Sequence, residues 1–381
     1  MSELMVIKHK YVLLAAAILA AAVLAAPVES AVKILTNRLT FKVESISSLR
    51  SPSLKPEPAA PVVADEEIVV FSSRRRLESF DLTGKRTQEL KTEFGPVATP
   101  AVTSDRIFVG GDDGKFHCLE RKTGKELWSN NLKSLLFSQP ALTVDRVIFQ
   151  TANDRVLALD PETGSWRWEY QHLRGADLAV AQLGPPLVLE EVMFIGLSDG
   201  FIMSMDPENG RVFWKAHAFT GEQFMDVDAP LEADEANVFA ASAGGEMAAL
   251  SRKTGKIVWR CRAGGLGGFR LAGEYIFLAT DEPGVTALDR LTGKEIWSTK
   301  LKGKRVRFSD LPLRPVVLND LVVVVTRGGK VVALDQASGK VRETSNYFTA
   351  IISAPVPVPA LGPSFLAMDN QGIVRLWKLG M

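Results

Sequence analysis

From residue 61 onward the chain alternates apolar and polar positions in short runs separated by glycine-centred turns. Stretches such as "RIFVGG" and "RVIFQT" place apolar residues on successive positions of a half-buried or buried strand, and "KFHCLE" and "RVLALD" follow them after a polar turn. Next comes a turn in which the glycine of a "TG" pair supplies a positive φ at no steric cost. A further strand of the "KELW" type follows. Adding the short segment before each unit, "TPAVT" or "QPALT", gives four antiparallel strands per unit.

This unit recurs. "GKFHCLERKTGKELW" (114–128) is repeated as "DRVLALDPETGSWRW" (154–168), "GFIMSMDPENGRVFW" (200–214), "GEMAALSRKTGKIVW" (245–259), "GVTALDRLTGKEIW" (284–297) and "GKVVALDQASGKVRE" (329–343), with a weaker first copy at 76–88. The turn glycines Gly84, Gly124, Gly164, Gly210, Gly255, Gly293 and Gly339 lie 38 to 46 residues apart. A period of that length points to a propeller, because one four-stranded sheet cannot bury both of its faces alone. Trp128, Trp168, Trp214, Trp259 and Trp297 each follow a turn glycine by four residues. Repeat symmetry spreads these rings around the molecule, so they are expected to wedge one blade against the next rather than to form an aromatic cage. Gln88 and Glu343 take their place in the first and seventh units.

After Gly339 the chain supplies three more strands and no fourth. The alternating stretch "LTFKVESIS" (39–47) is the expected source of the missing one, since joining the two ends removes exposed sheet edges. The predicted fold is therefore all-β, an eight-bladed propeller of four-stranded blades over 61–381, with seven blades as the alternative. Residues 31–60, rich in Ser and Pro from 47 onward, read as a linker carrying the closing strand.

The N-terminus has a different pattern. Lys8, His9 and Lys10 precede the apolar run 11–26 and Pro27, the layout of a secretory signal with a cleavage site before Ala31. The run is short for a membrane span, and an uncleaved anchor is the alternative. Export to a periplasm is the expectation.

Composition narrows the chemistry. Among 381 residues, 46% are hydrophobic and the net charge is +1, which gives no sign of nucleic-acid binding. His9, His117, His172 and His217 are scattered, and Cys118 and Cys261 have neither CxxC nor metal-ligand spacing. Cys118 stands where other repeats place Ala158, Ser204, Ala249, Ala287 and Ala333, as a small buried strand residue would. No GxSxG, HExxH or phosphate-cradling loop occurs. No catalytic residue, metal site or cofactor is predicted.

Asp226 and Asp228, in "FMDVDAPL" (224–231), are the carboxylates that invite a functional reading. One residue apart in an extended segment, they would face the same way and call for a cation. The basic stretches "RRRLE" (74–78) and "KGKRVRF" (302–308) read as solvated loops.

The "LD-x-x-TG-x-x-x-W" units resemble the repeats of pyrroloquinoline-quinone dehydrogenases and of the wider PQQ-like propeller superfamily. The isolated cysteines argue for its non-enzymatic branch. Within it, "HLRGADLA" (172–179) and "DVDAP" (226–230) are similar to two loop segments of BamB, the propeller lipoprotein of the β-barrel assembly machinery. That resemblance implies a non-catalytic scaffold that binds the periplasmic POTRA domains of BamA and other assembly components, and offers a sheet edge to unfolded outer-membrane protein strands. It makes Leu173, Arg174, Asp226 and Asp228 docking candidates. The residues themselves leave three options open for the aspartates: a partner's surface, an internal clamp by Arg174, or a calcium ion. The sequence departs from the family at Gln171, where an apolar residue is usual. It also has no cysteine before Cys118 to carry a lipid. Attachment to the outer membrane through a partner, or to the inner membrane by 11–26, is expected instead.

Overall fold

The computed structural model describes residues 40–45 and 59–380, apart from 73–74, 135, 137, 174–183, 220–224, 243, 264–266, 281, 283, 302–306, 348 and 371. The signal pattern and most of the linker therefore lie outside the described residues. What is described is built from eight four-stranded antiparallel sheets. Seven of them use four strands consecutive in sequence: blade 1 spans 62–91, blade 2 101–131, blade 3 141–171, blade 4 187–217, blade 5 232–261, blade 6 269–300 and blade 7 316–346. The eighth takes three strands from 356–380 and its outermost strand from Thr40–Ser45. That strand pairs antiparallel with Val374–Gly380, in a register running from Thr40 opposite Gly380 to Ser45 opposite Arg375. The count is eight, and the seven-bladed alternative is excluded.

Strand alternation explains the ring. In blade 3, Ile148, Val156 and Ala158 pack against Met193, Ile195 and Met203 of blade 4, while their neighbours Val147, Phe149 and Leu157 pack against Phe108, Phe116 and Cys118 of blade 2. Successive side chains of one strand thus feed two opposite junctions, which is why the middle strands read as apolar runs. Eight hydrophobic clusters result, one at each junction, including one between blades 8 and 1 built on Ile68, Val70, Leu366, Met368 and Leu376. Cys118 is fully buried in the junction of blades 2 and 3, and burial pushes its thiol up to about 12. Both cysteines are free.

The repeat motif has a mechanical meaning at each letter. The aspartate caps the turn: Asp160 Oδ1 accepts the N–H groups of Glu162 and Thr163, each at 2.8 Å. These bonds, led by that of Thr163 and joined by Arg167, hold the Asp160 carboxyl down at about 2. Asp81, Asp289 and Asp335 cap their own turns in the same way. The glycine after it lies under the previous blade's tryptophan. A side chain on Gly210 would begin 2.7 Å from the Trp168 ring, and φ there is +74°. Gly164, Gly255, Gly293 and Gly339 meet Trp128, Trp214, Trp259 and Trp297 likewise. Each indole N–H then donates to a backbone carbonyl three residues before that glycine: Trp128 to Pro161 O (3.1 Å), Trp168 to Pro207 O (3.0 Å), Trp214 to Arg252 O (2.8 Å), Trp259 to Arg290 O (3.1 Å) and Trp297 to Gln336 O (2.8 Å). In blade 1 the amide of Gln88 donates to Lys122 O instead, and Leu90 covers Gly124.

Two measurements test this account. Gly210→Ala adds a left-handed backbone cost and a clash with Trp168, together about 3 kcal/mol. Gly114→Ala, also at positive φ but with open space around it, should lose only about 1 kcal/mol, so urea unfolding should separate the two variants clearly. A chain beginning at residue 47 lacks Thr40–Ser45 and leaves the edge of Val374–Gly380 open. It should melt at lower temperature than a chain beginning at residue 39 and aggregate on heating, as followed by circular dichroism and light scattering.

Candidate functional site

The two segments singled out in the sequence leave neighbouring blades on the same side of the ring. The outer strand of blade 3, Trp166–Gln171, runs into His172 and Leu173; the loop from blade 4 to blade 5 carries Asp226 and Asp228. Leu173 is 85% exposed, an unusual position for a large apolar side chain. Arg174 lies outside the described residues. Asp226 is 1% exposed, and Asp228 is half-buried in the wall of the central channel. Both precede the inner strand Glu232–Ala233 rather than lying on it.

A turn of blade 4, residues 197–200, joins the two segments. From one side, His172 Nε2 meets Asp199 Oδ2 at 2.6 Å, and the His172 backbone N–H donates to Asp154 O at 3.1 Å. From the other, the Val227 N–H donates to Leu197 O at 3.2 Å, and the Val227 side chain fills the space that a side chain on Gly196 would need. The blade 4 turn is therefore bonded both to His172, the residue before Leu173, and to the backbone between Asp226 and Asp228.

Electrostatics fix the arrangement. Lys215 Nζ is 3.2 Å from His172 Nδ1 and 4.0 Å from the Phe201 ring centroid. An ammonium only donates, so Nδ1 is the acceptor and Nε2 carries the hydrogen given to Asp199. His172 is 5% exposed and is held by blade 4 from both ring nitrogens. Beneath it Asp154, fully buried, accepts Ser198 Oγ–H at 2.5 Å and Gln150 Nε2–H at 3.1 Å, and the same Gln150 amide donates to Gly196 O at 3.2 Å. Asp154 has φ +56°. Gln171 directs its amide to the backbone carbonyls of Asn153 in the blade 3 turn (3.0 Å) and of His172 (2.9 Å). Sequence reading missed Gln150, Asp154, Ser198, Asp199 and Lys215. Asp154 carried a visible signal, since it stands where blades 2, 4, 5, 7 and 8 have the turn glycines Gly114, Gly200, Gly245, Gly329 and Gly372.

Among the described residues, no three His, Cys, Asp or Glu side chains come together in a way that could hold a metal ion. His117 is engaged structurally, between Asp113 (3.0 Å) and Glu126 (2.7 Å) and stacked on Phe94.

Comparison with known proteins agrees with this architecture. The family model of the outer membrane protein assembly factor BamB matches residues 87–299 and 243–374. The chain belongs to the BamB family. Among its relatives, BamB of Shewanella oneidensis is 27% identical over 250 residues, covering 62% of this chain and 60% of that protein. BamB of Burkholderia pseudomallei is 25% identical over 272 residues, covering 68% and 70%. The crystal structure of BamB from Moraxella catarrhalis superposes with a TM-score of 0.73 at 19% identity, over 88% of this chain and 98% of that one. A quinohemoprotein alcohol dehydrogenase from Comamonas testosteroni reaches 0.69 at 15% identity, over 89% and 75%. At these identities the structural likenesses show the propeller fold, which the BamB family and the dehydrogenase have in common.

The buried network gives a specific expectation. Asp154→Ala strips partners from Ser198 and Gln150 and should cost about 2 kcal/mol. Asp154→Asn keeps an acceptor and tolerates the left-handed backbone, so it should lose about 1 kcal/mol or less. Chemical denaturation of the two variants measures the difference.

Proposed function

We propose that this protein is a non-catalytic scaffold of the cell envelope that supports assembly of outer-membrane β-barrel proteins by binding the POTRA domains of BamA. The observation that carries the reading is the BamB family match running through the propeller from residue 87 to residue 374. The local geometry adds support: an exposed leucine on a loop whose base is hydrogen-bonded across two blades is preorganised for docking. In this reading Leu173 is the apolar anchor and Arg174 supplies a planar fork for a carboxylate or carbonyl. Asp226, being buried, shapes the loop, and Asp228 contributes charge at the channel side of the same surface. The protein works in the periplasm, held at the outer membrane by its partner or tethered at the inner membrane by residues 11–26. Its outer strands offer edges to which extended segments of client proteins can add.

The test is a binding titration between the purified protein and a POTRA fragment of BamA from the same organism. Leu173→Asp, Arg174→Glu and the pair Asp226→Ala/Asp228→Ala should each weaken binding at least tenfold, about 1.4 kcal/mol or more. No binding by the unmodified protein would remove the assembly-factor reading. Equal binding by all variants would keep it and reject these residues as the surface.

A further inference from the structure

The central channel departs from the symmetry of the repeats. A proline opens the inner strand of every blade but the sixth, where Phe269 stands, and in blades 1, 2, 3, 4 and 7 the residue before it lines the axial cavity. At that position blades 1, 2, 3 and 4 carry Ala60, Thr99, Gln139 and Pro185, and blades 5, 6 and 8 carry alanine or glycine. Blade 7 carries Arg314. One residue after the proline position, seven blades are aliphatic and blade 6 has Arg270; two residues after it, seven are aliphatic or proline and blade 5 has Glu232. Two residues before it, Asp228 is the one charge among eight. Four single exceptions thus fall on three adjoining blades.

The exceptions are joined. Arg314 runs alongside Gly268 and across blade 6, donates from Nε to Phe269 O at 2.8 Å, and reaches Glu232 of blade 5 through Nη2. Arg270 meets the same carboxylate at 3.2 Å, and the Leu271 N–H donates to its other oxygen at 2.7 Å. Glu232 therefore already serves two guanidinium groups. Arg314 also lines a cavity of about 680 Å³. That volume lies within the range of ligand sites.

The rest of the cavity wall is of two kinds. Prolines, Pro61, Pro185, Pro230 and Pro357 among them, present rings and no N–H groups. Between them stand neutral polar groups. Ser138 Oγ, in a residue 6% exposed, has no partner among the described residues, and Thr99 Oγ1 accepts the Ala60 N–H at 2.9 Å while its own hydrogen remains to be given. An isolated apolar anion would leave these hydroxyls unmatched; a peptide, with an amide at each residue, would not.

We propose that the axial cavity binds the carboxyl-terminal end of a short apolar peptide, its carboxylate on Arg314 and its side chains against the proline wall. Asp228, a carboxylate able to accept several hydrogen bonds at once, receives a peptide N–H. This site shares Asp228 with the docking surface, but Arg314 and the proline wall stand apart from the loop at Leu173, and the assignment of the carboxylate to Arg314 does not depend on the docking reading.

Calorimetric titration of the full chain tests the assignment with three probes: the tripeptide Leu-Ala-Phe with a free carboxyl terminus, the same tripeptide as its carboxyl-terminal amide, and octanoate. The free acid should bind at least tenfold more tightly than the amide, and octanoate should bind more weakly than the acid. Arg314→Gln should abolish the difference between acid and amide, and Arg314→Lys should restore part of it. Ala60→Phe, which fills the cavity and leaves the Arg314–Glu232 pair in place, should weaken acid and amide alike; it also serves if Arg314→Gln fails to fold. No binding of the acid, equal binding of acid and amide, or octanoate binding as tightly as the acid would each overturn the proposal.

Discussion

An indole laid over a glycine of the next blade, with its N–H on a carbonyl of the same turn, is the contact that sets the geometry of this ring. The ring face needs a flat partner, and only glycine leaves one at a backbone position with φ near +70°. The hydrogen bond then fixes the angle at which blades meet, because it must reach one carbonyl and not its neighbour. Hydrophobic burial between middle strands supplies most of the attraction but tolerates sliding. The indole contact removes that freedom, and the turn aspartate keeps the receiving carbonyl where the indole needs it. Gln88 shows which part of the arrangement is retained without an aromatic ring: it makes the same kind of hydrogen bond to Lys122 O.

Much of this was legible because each blade repeats it in one short stretch of sequence. Turn glycine, aspartate and tryptophan lie within about ten residues of one another, and seven copies of the glycine with five each of the aspartate and the tryptophan make the spacing unmistakable. The closing strand was legible for a different reason: three strands at one end and an alternating stretch at the other leave one economical pairing. The local site was less so. His172 meets partners 27 and 43 residues away, and no periodic pattern reports such pairs. For Asp226 and Asp228 the sequence placed the pair just ahead of a strand, which the structure begins at Glu232, and gave no sign that their burial would differ. One carboxylate turns into the protein and the other toward the channel.

Repetition also makes exceptions informative. A propeller averages its demands over eight blades, so a residue that breaks the pattern in one blade answers something local. Exposed Leu173, buried Asp154 and the charges around Arg314 are all of this kind, and none of them lies in the turn motif. The packing motif and the chemical variation occupy different places along the unit. The first is carried by the turn on the outer rim, the second by the loops on the opposite side and by the innermost strands.

Pairing Thr40–Ser45 with Val374–Gly380 joins the first described strand to the last. In a chain made and delivered from its N-terminus, the closing strand is the earliest piece of the propeller to appear and the last to find its place. Loop closure over such a length adds only logarithmically to the entropic cost, so the pairing is delayed rather than prohibited. The order of events also has a protective side. When the final strand emerges, its partner has been waiting since the start, and the most exposed edge of the growing ring is covered almost as soon as it exists.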